Sequence, residues 1–229
     1  MRSRKNSSKP TPYLTSQEVE SWARLALEAE VGLKGAGWLC TVSVMWRVLL
    51  LVATQAKSIA FVCRMWVGGP SDQAIYNGLK KLPKRAADLE RQINACLVRH
   101  LPRGMTRRAR PMAIDYHEIP YYGESDGKLV VRGKAKSGTT RFFCYATICV
   151  VRQGERFTLA YTWVKAKDKQ TAVVERLLKR VETLGIAVRR LLVDRAFYNV
   201  ATLRLLQDNK IPFVTPVVLR GRKPQRGKP

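Results

Sequence analysis

The stretch Arg189-Arg190-Leu191-Leu192-Val193-Asp194-Arg195-Ala196-Phe197-Tyr198 decides the fold when set beside Pro111-Met112-Ala113-Ile114-Asp115-Tyr116-His117-Glu118. In each, a short apolar run carries an aspartate at its far end, and a carboxylate there costs free energy unless it is paired, hydrated or metal-bound. At the carboxyl ends of neighbouring parallel strands, residues distant in sequence converge on one crevice. Asp115 and Asp194 are therefore expected to meet, and a hard divalent cation, Mg2+ or Mn2+, is the natural ligand of such a pair. The plainer reading is that each aspartate caps the next helix or opens a turn.

Around these two runs the chain after Pro111 reads as alternating strands and helices. Residues 112–119 form the first strand, followed by a turn-rich 120–125 and a tight turn at Asp126-Gly127 ahead of 128–132. Residues 133–140, with Lys134 and Lys136, read as a basic loop. The β-branched and aromatic runs 142–152 and 156–164 flank Gln153-Gly154-Glu155 and form a hairpin. A helix over 169–185 shows the stripe Val173, Val174, Leu177, Leu178, Val181 and Leu184, closed by Gly185. The strand 189–194, a helix over 199–209 and a strand over 211–218 complete an α/β order of β-β-β-α-β-α-β.

Before Pro111 the periodicity is helical, which predicts an all-helical N-terminal domain over 16–101, after a disordered basic arm (1–15). In the helix starting at Ser16, the stripe Val19, Trp22, Ala23, Ala26 and Leu27 reads as core packing. The apolar segment 37–53 contains Arg47, and the uncharged pieces beside it are too short to span a bilayer, so it reads as a buried helix. Residues 58–66, a glycine break at 67–70 and residues 71–82 have the form of a helix-turn-helix, which is also how any helical bundle turns a corner. As a helix-turn-helix, Ser71, Asp72, Gln73, Tyr76 and Asn77 would reach base edges, and Lys80, Lys81, Lys84 and Arg85 phosphates. A further helix covers 86–100. The linker 102–111 carries Arg103, Arg107, Arg108 and Arg110, which lie either along a nucleic-acid backbone or in solvent. Beyond 112–218 lies a basic tail, 219–229.

Charge narrows the partner. The 229 residues include 42 Lys plus Arg against 17 Asp plus Glu, a net charge of +25 spread over both halves. An extended polyanion, double-stranded DNA first, is the expected partner, rather than one local tail contact. Five cysteines without a C-x-x-C pair and two histidines argue against a zinc site and for reduced thiols. No secretory signal or membrane span is apparent, so the expected location is the cytoplasm, at the nucleoid.

With these residues in view, Ala-Ile-Asp-Tyr-His-Glu-Ile-Pro-Tyr-Tyr-Gly at 113–123 and Leu-Leu-Val-Asp-Arg-Ala-Phe-Tyr at 191–198 resemble the first two acidic motifs of DDE transposases. The resemblance is to the IS4-like superfamily, close to the ISH3 type of insertion sequence, and covers about 112–216. It implies an RNase H-like core and two divalent metal ions held by Asp115, Asp194 and a later glutamate. It also implies double-stranded partners, the insertion-sequence terminal repeats and the target, with a homodimer on DNA as one assembly. His117 shares the strand face of Asp115, whereas Glu118 points to the other face. Arg195 either contacts a phosphate or forms a surface ion pair. No position matches the family's third acid, which lies in a Tyr, Arg, Glu, Lys signature, and Asp208 sits too late on its helix to be equivalent. The expectation is a C-terminally truncated transposase with catalysis open. A non-catalytic DNA-binding protein, such as a transposase remnant or repressor of transposition, and an RNase H-like nuclease are the competing readings.

Overall fold

The computed structural model describes residues 14–124 and 129–217. The basic arm up to residue 13, the tight turn expected at Asp126-Gly127 and the basic tail lie outside the described residues. The chain divides into two compact units, Met1–Arg85 and Ala86–Pro229.

Among the described residues the first unit holds four helices: α1 (Ser16–Glu30), α2 (Val42–Gln55), α3 (Ile59–Met65) and α4 (Asp72–Leu79). Each starts where a short hydroxyl side chain satisfies an otherwise unpaired amide: Thr15 caps Glu18 in a capping box, Thr41 caps Val44, Ser58 caps Phe61 and Ser71 caps Ala74. The apolar helix is buried as expected, through Met45, Trp46 and Val48, while Arg47 stays exposed over the ring of Trp66. No single described helix is long and apolar enough to cross a membrane. The stripe on α1 is corrected in part: Ala26 is buried and Ala23 and Leu27 half-buried, but Trp22 is 57% exposed and Val19 is also exposed. Its helical period is real, yet period alone does not decide which of its side chains are buried. The second helix of the helix-turn-helix form is also shorter than expected, ending at Leu79 rather than residue 82.

The second unit begins with α5 (Ala86–Val98), expected in the helical domain but packed on the sheet instead. The reason is a buried polar lock. The Asn94 side chain accepts from the amide of Tyr161 at 2.9 Å and donates to its carbonyl at 2.9 Å, standing in for a neighbouring strand. Glu90 adds a bond from the amide of Trp163 and an ion pair with Arg180 at 3.0 Å.

The sheet comprises β1 (Arg110–Pro120), β2 (Val130–Lys136), β3 (Thr139–Arg152), β4 (Glu155–Trp163), β5 (Val188–Val193) and β6 (Phe213–Val214), with α6 (Gln170–Thr183) between β4 and β5 and α7 (Val200–Asp208) before β6. Its order is β2-β3-β1-β5-β6, with β4 also on β3. Strands β1 to β4 pair antiparallel, and β1–β5 and β5–β6 pair parallel. Four strands precede the first crossover helix, not three, because the segment expected as a basic loop is largely strand. Residues 130–136 return through a two-residue turn at Ser137-Gly138, both with positive φ, the geometry that matches the twist of a hairpin.

One face of this sheet is core. Met112, Ile114, Ala146, Ile148, Val150, Leu191 and Val193 pack there against Val173, Val174, Leu177 and Val181 of α6. Burying those four α6 side chains contributes on the order of 10 kcal/mol before entropy is counted.

Candidate active site

Pairs along β1 and β5 run in parallel register to Ile114 beside Val193. Asp115 and Asp194 each follow by one residue: Asp115 lies midway along β1, where its pairing with β5 stops, and Asp194 just past the end of β5, on adjacent strands whose backbones lie about 5 Å apart. Side chains alternate across a strand. Because Ile114 and Val193 enter the core, Asp115 and Asp194 project from the opposite face, with Ala113 and Leu192. Asp194 is exposed and Asp115 half-buried.

Two aromatic rings hold these two positions together from behind. Tyr116, next to Asp115, stacks on Phe197 with ring centroids 4.4 Å apart and planes 15° from parallel. Phe197 is fully buried in a 3-10 turn, Arg195–Phe197, that starts at Asp194. One carboxylate oxygen of Asp194 accepts from the Arg195 amide and caps this turn. The capping role and the position beside Asp115 therefore coexist, and the second oxygen remains for other partners.

On the carboxylate face a polar row flanks Asp115. Thr147 pairs with Asp115 across β1 and β3, and its hydroxyl lies 3.0 Å from Nε2 of His117 and 4.0 Å from Sγ of Cys149. His117 stacks on Tyr145, centroids 4.8 Å apart. Arg156 donates from Nε to Sγ of Cys149 at 3.3 Å. Its guanidinium is held protonated beyond the arginine norm by that hydrogen bond first, with Asp115 adding to the effect and burial opposing it. Arg156 was not singled out from the sequence. The signal was its alternation with the core-facing positions of the hairpin, but a register shift between Ile148 and Cys149 hides that alternation until the strands are paired.

Among the described residues, no three His, Cys, Asp or Glu side chains gather into a group that could hold a metal ion. Glu118 lies on the other face, near Cys144. Asp168 is taken by Arg176 at 2.6 Å and by the Lys165 amide. Asp208 is exposed at the end of α7.

The residues expected at a nucleic-acid interface sort into two groups. Ser71, Gln73, Tyr76, Asn77 and Lys80 are exposed on or just past α4, whose opposite side buries Ile75 and Gly78. Gln73 donates to Asn77 one turn on. Lys84, Arg85, Arg107, Arg108 and Arg195 are exposed. Lys81 and Arg110 are engaged in the fold. Lys81 donates to the Gly35 carbonyl at 2.7 Å, and half-buried Arg110 donates to the carbonyls of Gly104 and Met105 at 2.6 and 3.2 Å. For Arg110 these two bonds, from two of its five donors, close the loop that precedes β1.

Residues 107–228 match the family described as transposase DDE domain. Two solved structures are similar in part. One is a cryo-EM structure of the piggyBac transposase synaptic complex with hairpin DNA, at a TM-score of 0.45 and 12% identity over 99% of this chain and 48% of that one. The other is the Drosophila P element transposase strand transfer complex, at 0.39 and 12% over 90% of this chain and 38% of that one. The chain thus spans about half the length of the first and less of the second. No curated protein sequence matches it.

Proposed function

The chain belongs to the transposase DDE domain family, and from that premise we propose that it is a DNA transposase that binds insertion-sequence ends and carries out metal-dependent strand cleavage and transfer. The observation that carries this reading is the parallel pairing of β1 with β5 up to Ile114 and Val193, each followed by one of the two aspartates. We assign the 86–217 sheet and helices to an RNase H-like core of the IS4-like, ISH3 type. The sheet order supports this: three antiparallel strands β1, β3 and β4, then parallel β5 and β6, with β2 as an added edge.

The donor set fits a hard divalent cation. Mg2+ is commonly held by one or two carboxylates, with water and substrate phosphate oxygens completing its octahedron. Asp115, midway along β1, and Asp194, just past the end of β5, offer hard oxygens from adjacent strands, and no described side chain donates a hydrogen bond to Asp115. When bound, such an ion supplies activation of a water or 3′-hydroxyl and charge neutralisation at the leaving oxygen. The protein's own part is positioning. The Tyr116–Phe197 stack fixes the spacing of the two carboxylates, and the Cys149–Arg156 bond aims a permanent cation along the Asp115 face, where a scissile phosphate would lie.

The test uses purified full chain and a duplex built from the sequences flanking its reading frame. Nicking in Mg2+ and Mn2+ binding measured by calorimetry should both be lost in Asp115→Asn and Asp194→Asn, with duplex binding retained. Nicking or Mn2+ binding that survives both substitutions rejects the assignment.

A further inference from the structure

We propose that the β2–β3 hairpin is a second duplex-DNA contact, a basic ribbon that grips the DNA flanking the cleavage site; the proposal rests on the transposase reading above. The segment read from sequence as a loop is a two-stranded ribbon closed by the Ser137-Gly138 turn. Its outer strand β2 is an edge of the sheet and carries Arg132, Lys134 and Lys136 at every second position, all exposed. Among the described residues none of the three makes an ion pair. Arg141 on β3 is half-buried and donates to the Gly123 carbonyl at 2.9 Å. The described acids nearby are Glu118, which lies beside Gly133, and Glu124, so the ribbon keeps a positive excess.

Charges on edge strands commonly serve to prevent edge-to-edge pairing. That purpose is met by either sign, and here every charge on β2 is positive. The ribbon is also shaped. Tyr121, Tyr122, Ala135, Thr139 and Arg141 line a concavity of about 490 Å3. The segment bearing the two tyrosines is tied to the hairpin: the Tyr122 hydroxyl donates to the Ser137 carbonyl at 2.7 Å, and the Thr139 hydroxyl to the Tyr121 carbonyl at 2.9 Å. The Tyr122 ring is nevertheless 71% exposed. Cations, hydroxyls and an exposed flat ring around a shallow concavity suit phosphates and sugars.

Position decides the partner. Strand β3 carries both Thr147, paired with Asp115, and Arg141, and its amino end lies toward the carboxyl end of β1. At about 3.4 Å per residue, Arg141 is about 20 Å from the level of the carboxylate pair and the hairpin tip about 30 Å. A duplex advances about 34 Å per turn. A duplex laid along β3 with its scissile phosphate at Asp115 and Asp194 would meet this ribbon within one turn, and a two-stranded ribbon fits a major groove about 12 Å wide.

The experiment compares full-length chain with the triple variant Arg132→Gln, Lys134→Gln, Lys136→Gln on a fluorescent duplex of about four turns, over a range of salt. The plot of log affinity against log salt should lose about 0.9 of slope per phosphate contact, so about 2 to 3 in all. As a readout independent of variant folding, Lys134 and Lys136 of the unmodified chain should be shielded from acylation when the duplex is bound. Binding by the unmodified chain with an unchanged slope in the triple variant and unshielded lysines overturns the hairpin proposal and leaves the transposase reading standing. Failure of the unmodified chain to bind the duplex overturns both.

Discussion

Replacing Asn94 with alanine tests the reasoning that assigns α5 to the sheet. Asn94 is 6% exposed, and its amide satisfies both backbone groups of Tyr161 on the outer edge of β4. Alanine leaves a buried N–H and a buried C=O without partners, and each such group costs about 1–3 kcal/mol. A concavity of about 180 Å3, lined by Asn94, Ala95 and Val98, adjoins the site and has room for a water, which holds the total near the lower end. The expected loss is about 2–3 kcal/mol, a fall of about 1–2 M in the urea midpoint at an m-value typical of a domain this size. The exchange protection of the Tyr161 amide should fall by about 30- to 150-fold with it. Arg91→Ala, on the exposed side of the same helix, is the control and should change stability by under about 0.5 kcal/mol. A midpoint within about 0.3 M of the parent, with the Tyr161 amide still protected, would refute the claim that a side chain replaces a missing strand here.

Phe197→Leu keeps the apolar burial behind the aspartates but removes the stack on Tyr116. Nicking is expected to fall about 10- to 100-fold while stability changes by under about 1.5 kcal/mol, and equal losses in both would show the ring serves packing alone. In α4, Gly78→Ala should cost about 1–3 kcal/mol, although helix propensity alone favours alanine by about 1 kcal/mol. An added Cβ would fall 2.2 Å from Cε of fully buried Met45, and thermal melting that shows stabilisation would contradict this packing. Burial pushes the Asp168 carboxyl up, but the hydrogen bonds from Arg176 and the Lys165 amide and the charges of both residues outweigh it and leave it below its ordinary value. Its stabilisation is thus fully present above an unfolded value of about 3.9 and is lost as pH falls through the folded value. Asp168→Asn should flatten the acid limb of the urea midpoint below about pH 4, and an unaltered limb would remove the pair from the acid response.

Much of the core was legible in the sequence because its signals are local. The α6 stripe, the apolar runs ending in Asp115 and Asp194 and the glycine break after α3 each express a preference that a few neighbouring residues dictate. The 130–143 hairpin was not legible. Its outer strand is polar and contains Gly133, so it lacks the alternation that marks a half-buried strand, and only pairing with β3 holds it extended. Likewise, the stripe on α1 has helical period, but period does not say whether anything covers it, and Trp22 is left largely exposed.

Composition and local pattern by themselves determined the cationic character, the helical first unit, the α/β second unit and the candidacy of Asp115 and Asp194. Tertiary structure alone decided what depends on register and partner choice. It paired β1 with β5 as far as Ile114 and Val193, one residue short of each aspartate, bonded Arg156 to Cys149 and moved α5 onto β4. It also joined Arg110 to the loop carbonyls of Gly104 and Met105. The physical reason is that side-chain direction alternates with every residue of a strand, so a shift of one position in pairing, which no single segment encodes, reverses which face receives each charge.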